Sequence, residues 1–183
     1  MDAGFLLSPA DGVPADSPES LMRPDDLVAA IARFLRRVHV PGDGGEDVID
    51  TTWALARAAG RVEAGEVTVD DLDPPYRPHS PERLLAIATQ LVGTLSDRPA
   101  PVSTTVHGDL ALADLRLAEG EIVGWKVPDR PAVGDPYIDL VFLARDLVAA
   151  IGPAAVPALF DAVGVTDPDP LRIETWITLR QLL

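Results

Sequence analysis

The sequence predicts an α+β domain that is mainly α-helical, and three observations carry that prediction. Apolar residues recur at helical spacing over most of the chain, and the segments that carry them open on Pro, Ser or Asp and close on Gly or Pro. Only Val102 to Leu140 changes to a period of two, interrupted by tight-turn residues. With 183 residues, 47% of them hydrophobic, and no cysteine, the chain can bury one core without disulfides, a cysteine-based zinc site or a thiol nucleophile.

Charge narrows the function classes. Asp and Glu number 29 against 15 Lys and Arg, and the net charge of −14 opposes attraction to a phosphate backbone or an anionic membrane. Neither nucleic acid nor membrane is an expected partner. A cationic substrate would gain from this field, although an acidic, soluble surface accounts for the same charge. Gly4-Phe5-Leu6-Leu7 is too short for a signal core, Asp2 stands where a basic flank belongs, and no apolar run could span a bilayer. Together with the missing cysteines, this makes the cytoplasm the expected location.

Residues 1–23 hold Pro9, Pro14 and Pro18 among Asp, Ser and Gly and read as a flexible N-terminal arm; residues 24–183 read as a single domain. Pro24 opens a helix with Asp25 and Asp26 in its first turn, a stripe of Leu27, Ile31, Phe34, Leu35 and Val38, and Arg36, Arg37 and His39 at its end, as the helix dipole prefers. Pro41 to Gly45 stops it. Gly42, Gly44 and Gly45 suggest a phosphate-cradling loop, but that motif follows a strand and this one follows a helix, so an ordinary connection is the reading. A second helix is expected over Val48 to Val62, with Ile49, Trp53, Ala56 and Gly60 at helical spacing and Trp53 in the core.

Glu63 to His79 is acidic and proline-rich and reads as a long loop. Ser80-Pro81-Glu82 caps and opens a helix whose apolar side carries Leu84, Ile87, Ala88, Leu91, Val92 and Leu95. Pro136 to Ile151 is a helix ended by Gly152, Pro153 begins another to about Val163, and Asp169-Pro170 opens a last one through Trp176 and Leu182. Its stripe runs to Leu183 without a stop signal, as in a truncated product.

The stretch between these helices differs in kind. Val102 to Val106 is a β-branched run that predicts a strand, and His107-Gly108-Asp109 follows at once. Leu115 to Ala118 and Ile122 to Val127 flank Glu119-Gly120-Glu121, where Gly120 supplies the positive φ of a hairpin turn. An acidic loop held between rigid elements is a seat for chemistry. Phosphoryl transfer needs a carboxylate to accept the acceptor's proton and metal ligands beside it, which kinases place as His-x-Asp-x-x-x-x-Asn followed by a second metal-binding Asp beyond a hairpin. His107, Asp109 and Asp114 follow that spacing, with Asp where Asn is expected.

On these residues the chain resembles the aminoglycoside phosphotransferase and choline kinase-like family, whose signature runs HGDxxxxN, a hairpin, then GDPxxDL. Gly134-Asp135-Pro136-Tyr137-Ile138-Asp139-Leu140 matches the last part in full, and Leu35-Arg36-Arg37-Val38-His39 is similar to the helix end that precedes the family's loop. The resemblance implies a kinase-like C-terminal lobe with a short strand and β-hairpin around the HGD loop, with Asp109 as catalytic base, His107 as loop brace, Asp114 on magnesium, and ATP as donor. Asp135 and Asp139 flank a helix start and are expected to be structural.

Two departures qualify what the resemblance implies. The family's second metal-binding Asp lies eight residues before the Asp of GDP, and that position is Val127, which has no oxygen for a hard cation. Asp129, two residues on, would serve only if the loop were re-registered past Pro128. The family's N-terminal β-lobe, with its nucleotide-covering loop and Lys, has no counterpart in residues 1–23. The expectation is therefore a degenerate, pseudokinase-like member with little or no activity alone, acting in binding or interaction, and associating with itself or a protein partner over the surface an N-lobe would cover. The alternative is a small-molecule phosphotransferase whose nucleotide lobe comes from another chain or a lost upstream segment. Metal-dependent hydrolysis through His107, Asp109, Asp114 and Asp129 lacks the nitrogen ligands zinc prefers, since His39 and His79 lie far along the chain.

Overall fold

The computed structural model describes residues 12–42, 48–126 and 132–183. It is mainly helical with two small sheets. Its opening differs from the flexible arm expected there. Val13–Pro14 forms strand β1, Ser17 caps the short helix α1 (Pro18–Leu21) by accepting the Ser20 N–H, and Ala15 is fully buried. Proline-rich composition was a poor guide here because β1 takes its pairing from a partner a hundred residues away. Residues 1–11 lie outside the described residues.

Helix α2 (Pro24–Val38) starts on Pro24, carries Asp25 and Asp26 in its first turn and ends on Arg36 and Arg37, so both ends suit the dipole. Its inner stripe of Leu27, Ile31 and Leu35 is completely enclosed. The second helix begins later than its spacing suggests. Val48–Ile49 forms strand β2, and α3 (Thr51–Glu63) starts after Asp50, whose side chain accepts the Trp53 N–H. That start turns Ala54 and Ala58 inward and leaves Trp53 39% exposed, so Trp53 is a surface residue and not part of the core.

The loop from Glu63 to His79 contains a short 3-10 turn at Val69–Asp71 and buries Leu72. It is pinned by Asp73, which accepts two hydrogen bonds from Arg145 at 2.7 and 2.5 Å and one from Gln181 at 2.9 Å. The Arg145 hydrogen bond holds the Asp73 carboxyl below its ordinary range against the opposing effect of burial. Helix α4 (Pro81–Leu95) follows the Ser80 cap as expected.

Strand β3 (Thr104–Val106) is shorter than the β-branched run, since Val102 is exposed. Then come β4 (Leu115–Ala118), β5 (Glu121–Trp125), β6 (Ala132–Gly134), and helices α5 (Tyr137–Ile151), α6 (Ala155–Val163) and α7 (Pro170–Arg180). One sheet runs β1-β4-β5, all antiparallel; the other runs β2-β6-β3, with β2 parallel to β6 and β3 antiparallel. The hairpin turn has positive φ at both Glu119 and Gly120, the backbone twist that a tight hairpin favours. Helix α2 packs on α6 and on β5, α4 on α3 and α7, and α5 on α6 and α7. Ile138, Leu143 and Leu147 of α5 and Trp176 of α7 are completely buried where these layers meet.

Candidate active site

The two sheets place the HGD loop, and a single buried carboxylate holds it. His107, Gly108 and Asp109 follow β3, whose register against β6 pairs Thr104 with Gly134 and Val106 with Ala132. Asp139, in the first turn of α5, is 1% exposed. It accepts the backbone N–H of His107 at 2.8 Å through Oδ2 and that of Gly108 at 2.9 Å through Oδ1. The Nε2–H of His39, just beyond α2, donates to the same Oδ2 at 2.9 Å. A carboxylate with this many donors offsets its own desolvation, so three segments distant in sequence meet on one side chain.

His107 braces the loop in a second way. Its Nε2–H donates to the Lys126 carbonyl at 2.7 Å beyond β5, and its Nδ1 accepts the Asp109 N–H at 3.3 Å. A carbonyl can only accept and an amide N–H can only donate, so these contacts require the neutral Nε2–H tautomer. The ring also lies 5.6 Å from that of Trp125. Gly108 has φ +86°, and a side chain there would press on the tip of Ile49 at 2.6 Å. Gly134 is tighter still, because a Cβ would fall 1.9 Å from the Ile49 carbonyl. Thus β2 lies against both the HGD loop and the GDP segment; the positive φ favours glycine at 108, and the Ile49 backbone requires it at 134.

Asp114 closes a 3-10 turn at Leu112–Asp114 by accepting the Ala111 N–H at 2.9 Å, while Asp146 of α5 accepts the Leu112 N–H at 2.9 Å. The Asp114 carbonyl accepts the Lys126 N–H, tying this turn to the end of β5. From α2, Arg33 holds the hairpin by donating to Glu121 Oε1 and to the Gly120 carbonyl, both at 2.7 Å. Asp135 accepts the Tyr137 N–H at the start of α5, and its Oδ2 accepts from Arg172 at 2.7 Å and Trp176 Nε1 at 3.0 Å, all buried. Asp135 thus bonds at its own helix start and to α7, whereas Asp139 bonds to the loop and not to its own helix end.

Asp109 itself is exposed. It lines a cavity of about 330 Å³ together with His107, Gly108, Ile49, Trp53, Arg57, Phe142, Arg180 and Leu183. A carboxylate on a braced loop, open to a cavity, can accept a hydrogen bond or a proton from a hydroxyl placed there. Val127, Pro128 and Asp129 lie outside the described residues, as do Gly44 and Gly45. Among the described residues no three side chains gather as a metal-binding cluster, and none of their helices is long and apolar enough to cross a membrane.

The structure brings His107, Asp109 and Asp114 to one loop and Asp139 beneath it. Sequence reasoning missed Asp146, Ile49 and the cavity residues Arg57 and Arg180, for which no local signal exists. His39 had a signal in the Leu35–His39 segment and Asp139 one in the Gly134–Leu140 segment, but neither says that the two pair.

Known proteins share this fold. Residues 2–174 match the model of the phosphotransferase enzyme family. The chain is 32% identical over 157 residues to an aminoglycoside 3'-phosphotransferase of Escherichia coli, covering 85% of this chain and 56% of that protein. An aminoglycoside phosphotransferase from Streptomyces rimosus superposes with a TM-score of 0.80 at 25% identity, over 94% of this chain and 66% of that one. A choline/ethanolamine kinase family protein from Mesorhizobium loti shares the fold at TM-score 0.63 and 18% identity, over 90% of this chain and 53% of its own. The chain therefore spans rather more than half the length of the curated relative it matches.

Proposed function

The chain belongs to the phosphotransferase enzyme family, and from that premise we propose that it keeps the family's catalytic loop but has lost most or all phosphoryl transfer, acting instead by holding ligands or a partner. The observation that carries this reading is Val127, which stands eight residues before Asp135 where a second metal-binding carboxylate belongs. Magnesium is held in such sites by one or two carboxylates together with nucleotide phosphates. Asp114 fits as one of them, since its carboxylate is a hard oxygen donor beside the HGD loop. Val127 offers no donor. Bound with ATP, magnesium would neutralise charge on the phosphate oxygens.

The remaining residues have roles that follow from their contacts. Asp139 and His107 fix the loop, Gly108 gives it its positive-φ turn, and Asp109 lines the cavity, where its carboxylate can accept a hydrogen bond from a seated hydroxyl. Such positioning supplies most of the rate in this chemistry, provided the metal is also placed. A second copy or a protein partner over the face that the family's nucleotide lobe covers belongs to the same proposal, and light scattering that finds only a monomer contradicts that part.

One observation favours a second reading, a working transferase with nucleotide-covering elements from another chain or an upstream segment: the loop is fully braced and Asp109 faces open space. A relative from Streptomyces rimosus has been solved with ADP and streptomycin, which supports nucleotide and aminoglycoside as the first compounds to try. The test incubates the purified chain with ATP, magnesium and streptomycin or kanamycin and measures transfer. The proposal expects no transfer that depends on Asp109, and tighter manganese binding in Val127→Asp. Transfer abolished by Asp109→Ala establishes the second reading instead.

A further inference from the structure

The side chains that line the cavity beside Asp109 carry more positive than negative charge. Its lining holds one side-chain carboxylate, Asp109, and two guanidinium groups, Arg57 from α3 and Arg180 from the end of α7. Both arginines are held against aromatic faces: Arg57 lies 5.7 Å from the Trp53 ring and Arg180 4.9 Å from that of Phe142. These contacts orient the cations without neutralising them. Arg180 Nε is buried and has no acceptor among the described residues. Asp73, an acid whose charge is felt by Arg180, is already engaged by Arg145 and Gln181.

We propose that this cavity takes a small hydroxylated anion, with its carboxylate or phosphate group on Arg57 and Arg180 and a hydroxyl directed to Asp109. The inference rests on the reading of the cavity as the acceptor side of the HGD loop and adds the charge and size of what enters it. About 330 Å³ lies at the small end of ligand pockets and accommodates a monosaccharide-sized molecule. The net charge of −14 does not oppose this, because exposed charges more than about 8 Å away are screened at physiological salt while the two cations line the site itself. Ion pairs between guanidinium and carboxylate or phosphate add planar, two-pronged hydrogen bonding to the Coulomb attraction.

Calorimetric titration of the whole chain tests the inference without requiring turnover. The probes are gluconate and glucose 6-phosphate as anions, glucose as the neutral control and glucosamine as the cation. The expected result is binding of at least one anion in preference to glucose and glucosamine, weakened about tenfold or more by Arg57→Gln and by Arg180→Gln. Arg57 is exposed, so its substitution leaves the fold in place even if that of Arg180 does not. Arg57→Lys should recover part of the affinity. Preference for gluconate or for glucose 6-phosphate identifies the anionic group. Failure of both anions to bind at millimolar concentration, equal or tighter binding of glucosamine, or anion binding indifferent to Arg57→Gln overturns the inference. Asp109-dependent transfer to a cationic acceptor would overturn it too, while leaving the family's chemistry intact.

Discussion

Replacing Asp139 with Ala should loosen the HGD loop more than any other single change in the site. The substitution removes the acceptor of three donors, the N–H groups of His107 and Gly108 and the Nε2–H of His39, at 2.8 to 2.9 Å. Hydrogen bonds to a charged group are each worth about 1.5–3 kcal/mol, but they are not additive, and the two half-buried amides regain water once the loop opens. The net loss is then about 3–5 kcal/mol, as for other broken buried networks. A domain of ordinary stability, about 5–15 kcal/mol, would survive this with the loop detached. Urea unfolding followed by circular dichroism measures the loss, and hydrogen exchange at His107 and Gly108 locates it. Asp139→Asn keeps one carbonyl oxygen and should lose less. If Asp139→Ala falls within about 1 kcal/mol of the parent, with exchange at both amides unchanged, the carboxylate does not hold the loop and the reasoning fails.

Two further perturbations test the frame around the loop. Gly134→Ala puts a methyl group against the Ile49 carbonyl and should destabilise by about 1–3 kcal/mol or more through separation of β2 from β6, read as a lowered midpoint in thermal unfolding; an unchanged midpoint would mean that β2 does not pack there. Asp73→Asn should cost about 1 kcal/mol at neutral pH, a small value because Asp73 and Arg145 are both partly exposed. Since the folded-state pKa of Asp73 is depressed, its contribution is fully present above the ordinary carboxylate range and is lost as pH falls through the folded value. The gap between parent and Asp73→Asn should therefore close on acidification below about pH 4, and a gap that widens there contradicts the assignment.

The helices were legible because their signals are local. Pro24, Ser80 and Asp169 sit at helix starts, Arg36 and Arg37 at an end, and the stripes that follow have enough turns for their phase to be read. The HGD loop and hairpin were legible for the same reason. The strands β1, β2 and β6 were not, because they owe their conformation to partners far along the chain. Val48 and Ile49 fit the helical spacing equally well, and only the Asp50 cap settles where α3 begins. That shift of phase is what carries Trp53 to the surface and Arg57 to the cavity. His39 and Asp139 are separated by a hundred residues, and Asp135 finds Arg172 and Trp176 across gaps of 37 and 41, so a motif that names these aspartates cannot say what they hold.

The most direct test of the central claim, that the catalytic loop is kept while transfer is lost at Val127, is the steady-state rate of phosphoryl transfer from ATP with magnesium by the purified chain. The account predicts no rate above that of Asp109→Ala. A magnesium-dependent rate in the parent that Asp109→Ala abolishes would contradict it.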